Sequence, residues 1–156
     1  MAEPNILLTR IDNRLVHGQV GVTWTKTLGA NLIIVADDVV ANEPMQQTLM
    51  AVTAKSSGAG IRFFTIEKTA AIIGNAAPTQ KIFIVCRTPK QVRQLVEKGV
   101  HLKDVNVGNM HFSDGKRPLS KKVYVNDEDL EDLNFLASQG INVYIQDVPG
   151  ESITKI

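Results

Sequence analysis

The chain has 156 residues, 44% of them apolar and 21% charged, with 17 basic side chains against 16 acidic ones and one cysteine. That length suits one compact unit burying roughly 70% of its unfolded surface, and the apolar fraction excludes a disordered polymer. A formal net charge of +1 gives no field to hold a polyanion, so nucleic-acid binding is excluded as the main task, while the lone Cys86 can make neither an internal disulfide nor a cysteine zinc site.

The opening residues carry Glu3 and only the short apolar run Ile6-Leu7-Leu8, far below the ~7–15 residues of a signal-peptide core. No stretch approaches the ~20 apolar residues of a membrane helix. The expectation is a single cytoplasmic domain over residues 1–156.

In chain order, short apolar runs recur at Ile6-Leu7-Leu8, Leu32-Ile33-Ile34-Val35, Ile61-Arg62-Phe63-Phe64, Ile82-Phe83-Ile84-Val85, Val105-Asn106-Val107, Val123-Tyr124-Val125 and Val143-Tyr144-Ile145. Runs so nearly continuous, rich in β-branched residues, read as strands covered on both faces, as in a parallel sheet. Helical signals fall between them. Val20, Trp24 and Leu28 share a stripe that Gly29 stops; Pro44 opens a helix whose predicted inner face is Met45, Leu49 and Val52; a weaker helix covers 67–73. Thr88-Pro89-Lys90-Gln91 is a capping box ahead of Val92, Leu95 and Val96, and Asn126 precedes three acids and then Leu130, Leu133 and Leu136. Strand and helix alternate, so the predicted fold is α/β: a three-layer α/β/α, Rossmann-like architecture on a mainly parallel sheet of about six to seven strands. Residues 108–122 break the pattern and read as a long loop or irregular hairpin.

Ligands of open α/β sheets bind outside the carboxyl ends of strands. The loop after the first run, Arg10-Ile11-Asp12-Asn13-Arg14-Leu15-Val16-His17-Gly18-Gln19-Val20, concentrates two arginines, an acid and a histidine before the first helix. Helix-start amides and guanidinium forks suit a phosphate, and Gly18 lets the backbone come close. Asp12 could hold one ring nitrogen of His17 and leave the other as a nucleophile; free histidine, with a pKa near ~6.5, is readily neutral in a cytoplasm. The same residues also suit a purely structural ion-pair network. Two further readings stay open on residues alone: a non-catalytic phosphate- or nucleotide-binding α/β module, and a hydrolase with His17 as general base. Neither phosphate-loop signature follows the first strand, and the loop holds no serine or cysteine nucleophile.

The loop resembles the R-I-D-x-R-L-x-H-G-Q-V hallmark of the IIB component of the mannose/fructose/sorbose-type family of the bacterial sugar phosphotransferase system, fitting it at every defined position. Asp37-Asp38 and Asn106-Val107-Gly108-Asn109-Met110 extend the likeness, and Gly21-Val22-Thr23-Trp24 and Val107-Gly108-Asn109-Met110-His111-Phe112 look closest to the galactosamine/N-acetylgalactosamine branch. The resemblance implies a protein-N(π)-phosphohistidine sugar phosphotransferase. His17 would accept a phosphoryl group on Nδ1 from a phosphorylated IIA and donate it to a sugar held by the membrane subunits IIC and IID, which would tether the protein to the inner face of the plasma membrane. Arg10, Asp12, Arg14, Gly18 and Gln19 would bind or orient the phosphate. Neither a cofactor nor a metal is implied, since the histidines His17, His101 and His111 are scattered.

Elsewhere, Cys86 reads as a small buried thiol, and Trp24 as core. Asp37 and Asp38 would rim the cleft or cap their loop, and His111 would border the cleft or lie exposed. Lys116, Arg117, Lys121 and Lys122 form the one basic cluster, a solvated loop or a docking surface for an acidic partner.

Overall fold

The computed structural model describes residues 3–156, with the side chain of Gln19 outside that description. All seven apolar runs form strands. Six build the parallel part of one sheet: β1 (Asn5–Asp12), β2 (Leu32–Ala36), β3 (Gly60–Phe64), β4 (Lys81–Cys86), β5 (Asp104–Asn109) and, after two strands outside this sheet, β8 (Asn142–Ile145). The order is β3-β2-β4-β1-β5-β8, closed by the short antiparallel β9 (Thr154–Lys155). The seventh run is β7 (Val123–Val125), paired antiparallel with β6 (Arg117–Ser120) in a separate hairpin, so of residues 108–122 the first two end β5, 111–116 form a loop and 117–122 belong to an irregular hairpin.

Helices cover both faces. On one lie α1 (Thr25–Leu28), entered through a π-helical turn at Gln19–Trp24, and α2 (Pro44–Lys55); on the other lie α3 (Ile66–Ile72), α4 (Pro89–Glu97) and α5 (Asp127–Ser138). Alternation along the strands feeds two separate cores. Ile82, Ile84 and Cys86 of β4 meet Val92, Leu95, Leu133 and Leu136, while Phe83 and Val85 meet Val20, Trp24, Met50 and Ala54. The predicted capping box of Thr88 with Gln91 is formed, and the structure adds a second, Asn126 with Asp129.

The facing of α2 differs from expectation. The helix starts at Pro44, but Met45 is 79% exposed and Leu49 61%, and the buried residues are Met50 and Ala54. Close approach decides this. An added Cβ at Gly21 would lie 2.7 Å from Cγ2 of Thr53, so the two helices touch through a glycine and small side chains, a separation that the bulkier Met45, Leu49 and Val52 would prevent.

Candidate active site at the carboxyl end of β1

Strand β1 lies between β4 and β5, so the loop leaving it is flanked by the ends of both neighbours. The backbone turns at once: Leu15 N donates to Asp12 O at 3.0 Å, and Leu15 adopts a φ of +56° while fully buried. A left-handed leucine is strained by about 1–3 kcal/mol and persists because burial of its side chain over-determines the turn. With Leu15 and Val16 buried, Arg14 is thrown outward and His17 stands at the surface with 19% of its side chain exposed.

Asp12 is the hub. Its Oδ2 accepts from Nε2 of His17 at 3.0 Å and from Nη2 and Nε of Arg10 at 3.0 and 3.3 Å, and its Oδ1 accepts from Arg14 N at 2.9 Å. Burial pushes the Asp12 carboxyl upward, but the His17 hydrogen bond, the Arg10 charge and the Arg14 amide outweigh it and leave its pKa below the usual carboxylate value. An ionised carboxylate only accepts, so Nε2 of His17 carries the hydrogen, and in that tautomer Nδ1 holds a free lone pair.

Beneath Asp12 the guanidinium of Arg10 is fully buried. Its Nη1 donates to Asn106 Oδ1 at 2.7 Å and Gln146 O at 3.2 Å, Nη2 lies 3.6 Å from Asp147 Oδ1, and its central carbon sits 5.3 Å from the centroid of the Trp24 ring. Burial draws the Arg10 pKa down against the pull of Asp12 and Asp147. Gly108 makes the space: a Cβ there would run into the guanidinium carbon and both terminal nitrogens. The pairing of β1 with β5 shifts register at this point, between Ile11 and Asp12.

The turn is also pinned from outside. Asn13 N donates to Asn109 O at 3.0 Å, His111 N donates to Asn13 Oδ1, and Arg87 Nη1 donates to Asn13 O at 3.1 Å. Arg87 is itself fixed by Nε on Asp37 Oδ2 at 3.0 Å. Asp37 Oδ1 caps the amides of Val39 and Val40, and Asp38 Oδ1 takes Ile66 N, so both acids cap loops.

The structure thus brings together Asp12, His17 and the main chain of Arg14. It corrects the expectation for Arg10, which cannot reach a group on Nδ1 because its guanidinium is enclosed; it orients Asp12 instead. Gly18 has right-handed helical angles (φ −43°, ψ −51°) with open space about its α-carbon, so it supplies room rather than an unusual turn. The side chain of Gln19 lies outside the described residues. Trp24 is core and donates Nε1 to Asp147 O at 2.9 Å; Cys86 is buried, its thiol pushed strongly upward by desolvation and by Asp37. His101 is exposed beside Glu3. Of the basic cluster, Lys116 pairs with Asp129, Arg117 with Asp127 and Lys122 with Asp147. Sequence reasoning missed Arg87, Gln146 and Asp147; the one signal for the network was Asn106, a polar residue inside the apolar run of β5. Among the described residues, no cluster of three or more histidine, cysteine or acidic side chains could hold a metal.

The sequence profile of the family described as PTS system sorbose subfamily IIB component matches residues 6–156. The chain belongs to this family. A curated relative, the N-acetylgalactosamine-specific phosphotransferase enzyme IIB component 1 of Escherichia coli K12, is 68% identical over 156 residues, covering 100% of this chain and 99% of the relative. The crystal structure of the PTS N-acetylgalactosamine-specific IIB component 1 from Escherichia coli superposes with a TM-score of 0.95 at 68% identity, over 97% of this chain and 99% of that one. That of a PTS-dependent N-acetyl-galactosamine IIB component from Streptococcus pyogenes gives 0.92 at 38% identity, over 100% and 96%. As a IIB component the protein is a phosphotransferase of sugar transport, taking up a phosphoryl group and passing it to the sugar within a system that also contains IIA and membrane IIC and IID parts. Among the described residues no helix is long and apolar enough to cross a membrane.

Proposed function

We propose that His17 is the phosphoryl carrier of this IIB component and that the sugar is N-acetylgalactosamine or galactosamine. The observation that carries the first part is the 3.0 Å contact between His17 Nε2 and Asp12 Oδ2, which directs the ring hydrogen inward and the Nδ1 lone pair outward. The sugar is carried by the high identity to an N-acetylgalactosamine-specific relative.

In the first transfer the Nδ1 lone pair forms a bond to the phosphorus of a phosphohistidine on IIA as that phosphorus–nitrogen bond breaks, its electron pair returning to the donor ring. In the second, a sugar hydroxyl presented by IIC and IID attacks the same phosphorus. The bond to Nδ1 then breaks, the ring recovers its lone pair, and the hydroxyl proton leaves to water. Such transfers ask mainly for positioning and charge stabilisation. Arg10 and Asp12 hold the ring, while Arg14 and the unsatisfied amides at the helix start after His17 receive the oxygens. Two membrane partners give the protein a peripheral place on the cytoplasmic face.

The test is incubation with phosphoenolpyruvate, the general phosphotransferase enzymes and the cognate IIA, read by mass spectrometry. One added phosphate is expected, acid-labile and base-stable, lost in His17→Ala and kept in Cys86→Ala. A label persisting in His17→Ala overturns the assignment.

A further inference from the structure

Three of the four cations between residues 116 and 122 are neutralised by carboxylates, which leaves Lys121 without an ion pair among the described residues. Lys121 does not stand alone. It lines a cavity of about 370 Å³ together with Arg14, His111, Lys122, Phe112 and Tyr124, and no carboxylate lines that cavity. Phe112 is 61% exposed and meets the Tyr124 ring edge-on, with centroids 5.6 Å apart. An exposed phenylalanine held in place by a neighbouring ring offers fixed apolar carbon to a ligand in the cavity.

The cavity is continuous with the His17 loop. Arg14 belongs to that loop, and its amide is on the carboxylate that holds the His17 ring. Asn109 and His111 line it too, and their backbone groups hydrogen-bond to Asn13 in the same turn. Guanidinium and ammonium groups grip phosphate oxygens, while aromatic carbon suits the apolar face of a sugar ring.

We infer that this cavity binds the phosphorylated hexose, the product of the second transfer, through Arg14 and Lys121 on its phosphate and Phe112 and Tyr124 on its ring. The inference rests on the proposed function, because a sugar that takes the group from Nδ1 must bring its hydroxyl to this loop. Its new negative charge then arises next to Arg14. Binding the charged product better than the neutral sugar draws the sugar away from the membrane subunits in the direction of transport.

The test is an amide chemical-shift titration of the isotope-labelled, unphosphorylated full chain with N-acetylgalactosamine 6-phosphate, with N-acetylgalactosamine and with inorganic phosphate. Shifts are expected around Arg14, Asn109, His111, Phe112 and Lys121, with the sugar phosphate binding about fivefold or more tightly than either component. Lys121→Gln and Phe112→Ser each weaken that binding about threefold to tenfold, as loss of one charge-assisted or one aromatic contact should. Equal affinity for inorganic phosphate, shifts confined to other surfaces, no shifts, or unchanged binding in both variants overturns the inference. No phosphoryl donor is present, so a failure of His17 to become phosphorylated leaves this result untouched, and the reverse also holds.

Discussion

Two arginines four positions apart frame the His17 loop, and their surroundings are opposite. Arg10 lies in a closed cluster with Asp12, Asn106 and Asp147, while Arg14 lines an open cavity edged by aromatic rings. The same side chain therefore holds a carboxylate rigid in one place and, in the proposed function, meets incoming charge in the other. Burial couples the first role to stability, because a buried charge that loses its partner is uncompensated. Exposure separates the second role from stability.

The largest expected effect follows from breaking the closed cluster. Arg10→Met leaves Asp12 buried with less compensation and should lower unfolding free energy by about 3–5 kcal/mol, measured by urea titration; unchanged stability would make the two arginines alike. Asp12→Asn removes control of the His17 tautomer and should slow phosphorylation by IIA about 100-fold, or about 2.7 kcal/mol of barrier. The same variant should flatten the acid limb of the stability curve. Asp12 and Asp37 have lowered native values, so they contribute stability above their unfolded values near ~3.9 and lose it as pH falls through the native ones.

Gly108→Ala intrudes on the guanidinium and should destabilise by about 1–3 kcal/mol with a matching loss of transfer rate, a smaller disturbance of the same cluster. Arg14→Ala is the contrasting case. Transfer should slow about tenfold, one charge-assisted contact, with melting unchanged by calorimetry. A parallel loss of melting temperature would erase the distinction between the two sites.

The readability of each feature followed the range of its interactions. Strands buried on both faces write themselves as apolar runs, and the capping boxes are local, so most elements were legible. Asp12 and His17 are five residues apart and their partnership could be anticipated. Arg10 could not be read correctly, because besides Asp12 its partners Asn106 and Gln146 lie 96 and 136 residues away and charge alone does not report burial. The facing of α2 failed for a related reason: the apolar count favoured Met45, Leu49 and Val52, while the deciding contact is Gly21 against Thr53 in another element. Arg87 gave no local sign, since it grips the turn at Asn13, 74 positions away, and is itself fixed by Asp37, 50 positions away.

The seat of Arg10 on Gly108 also orders events during synthesis. The imidazole leaves the ribosome early, yet the carboxylate behind it is braced only when the strand ending at Asn109 and the carbonyl of Gln146 have emerged and docked. A nascent chain therefore carries the proposed carrier His17 without the scaffold that aims it. On the proposed assignment the site is complete only once the whole sheet has closed.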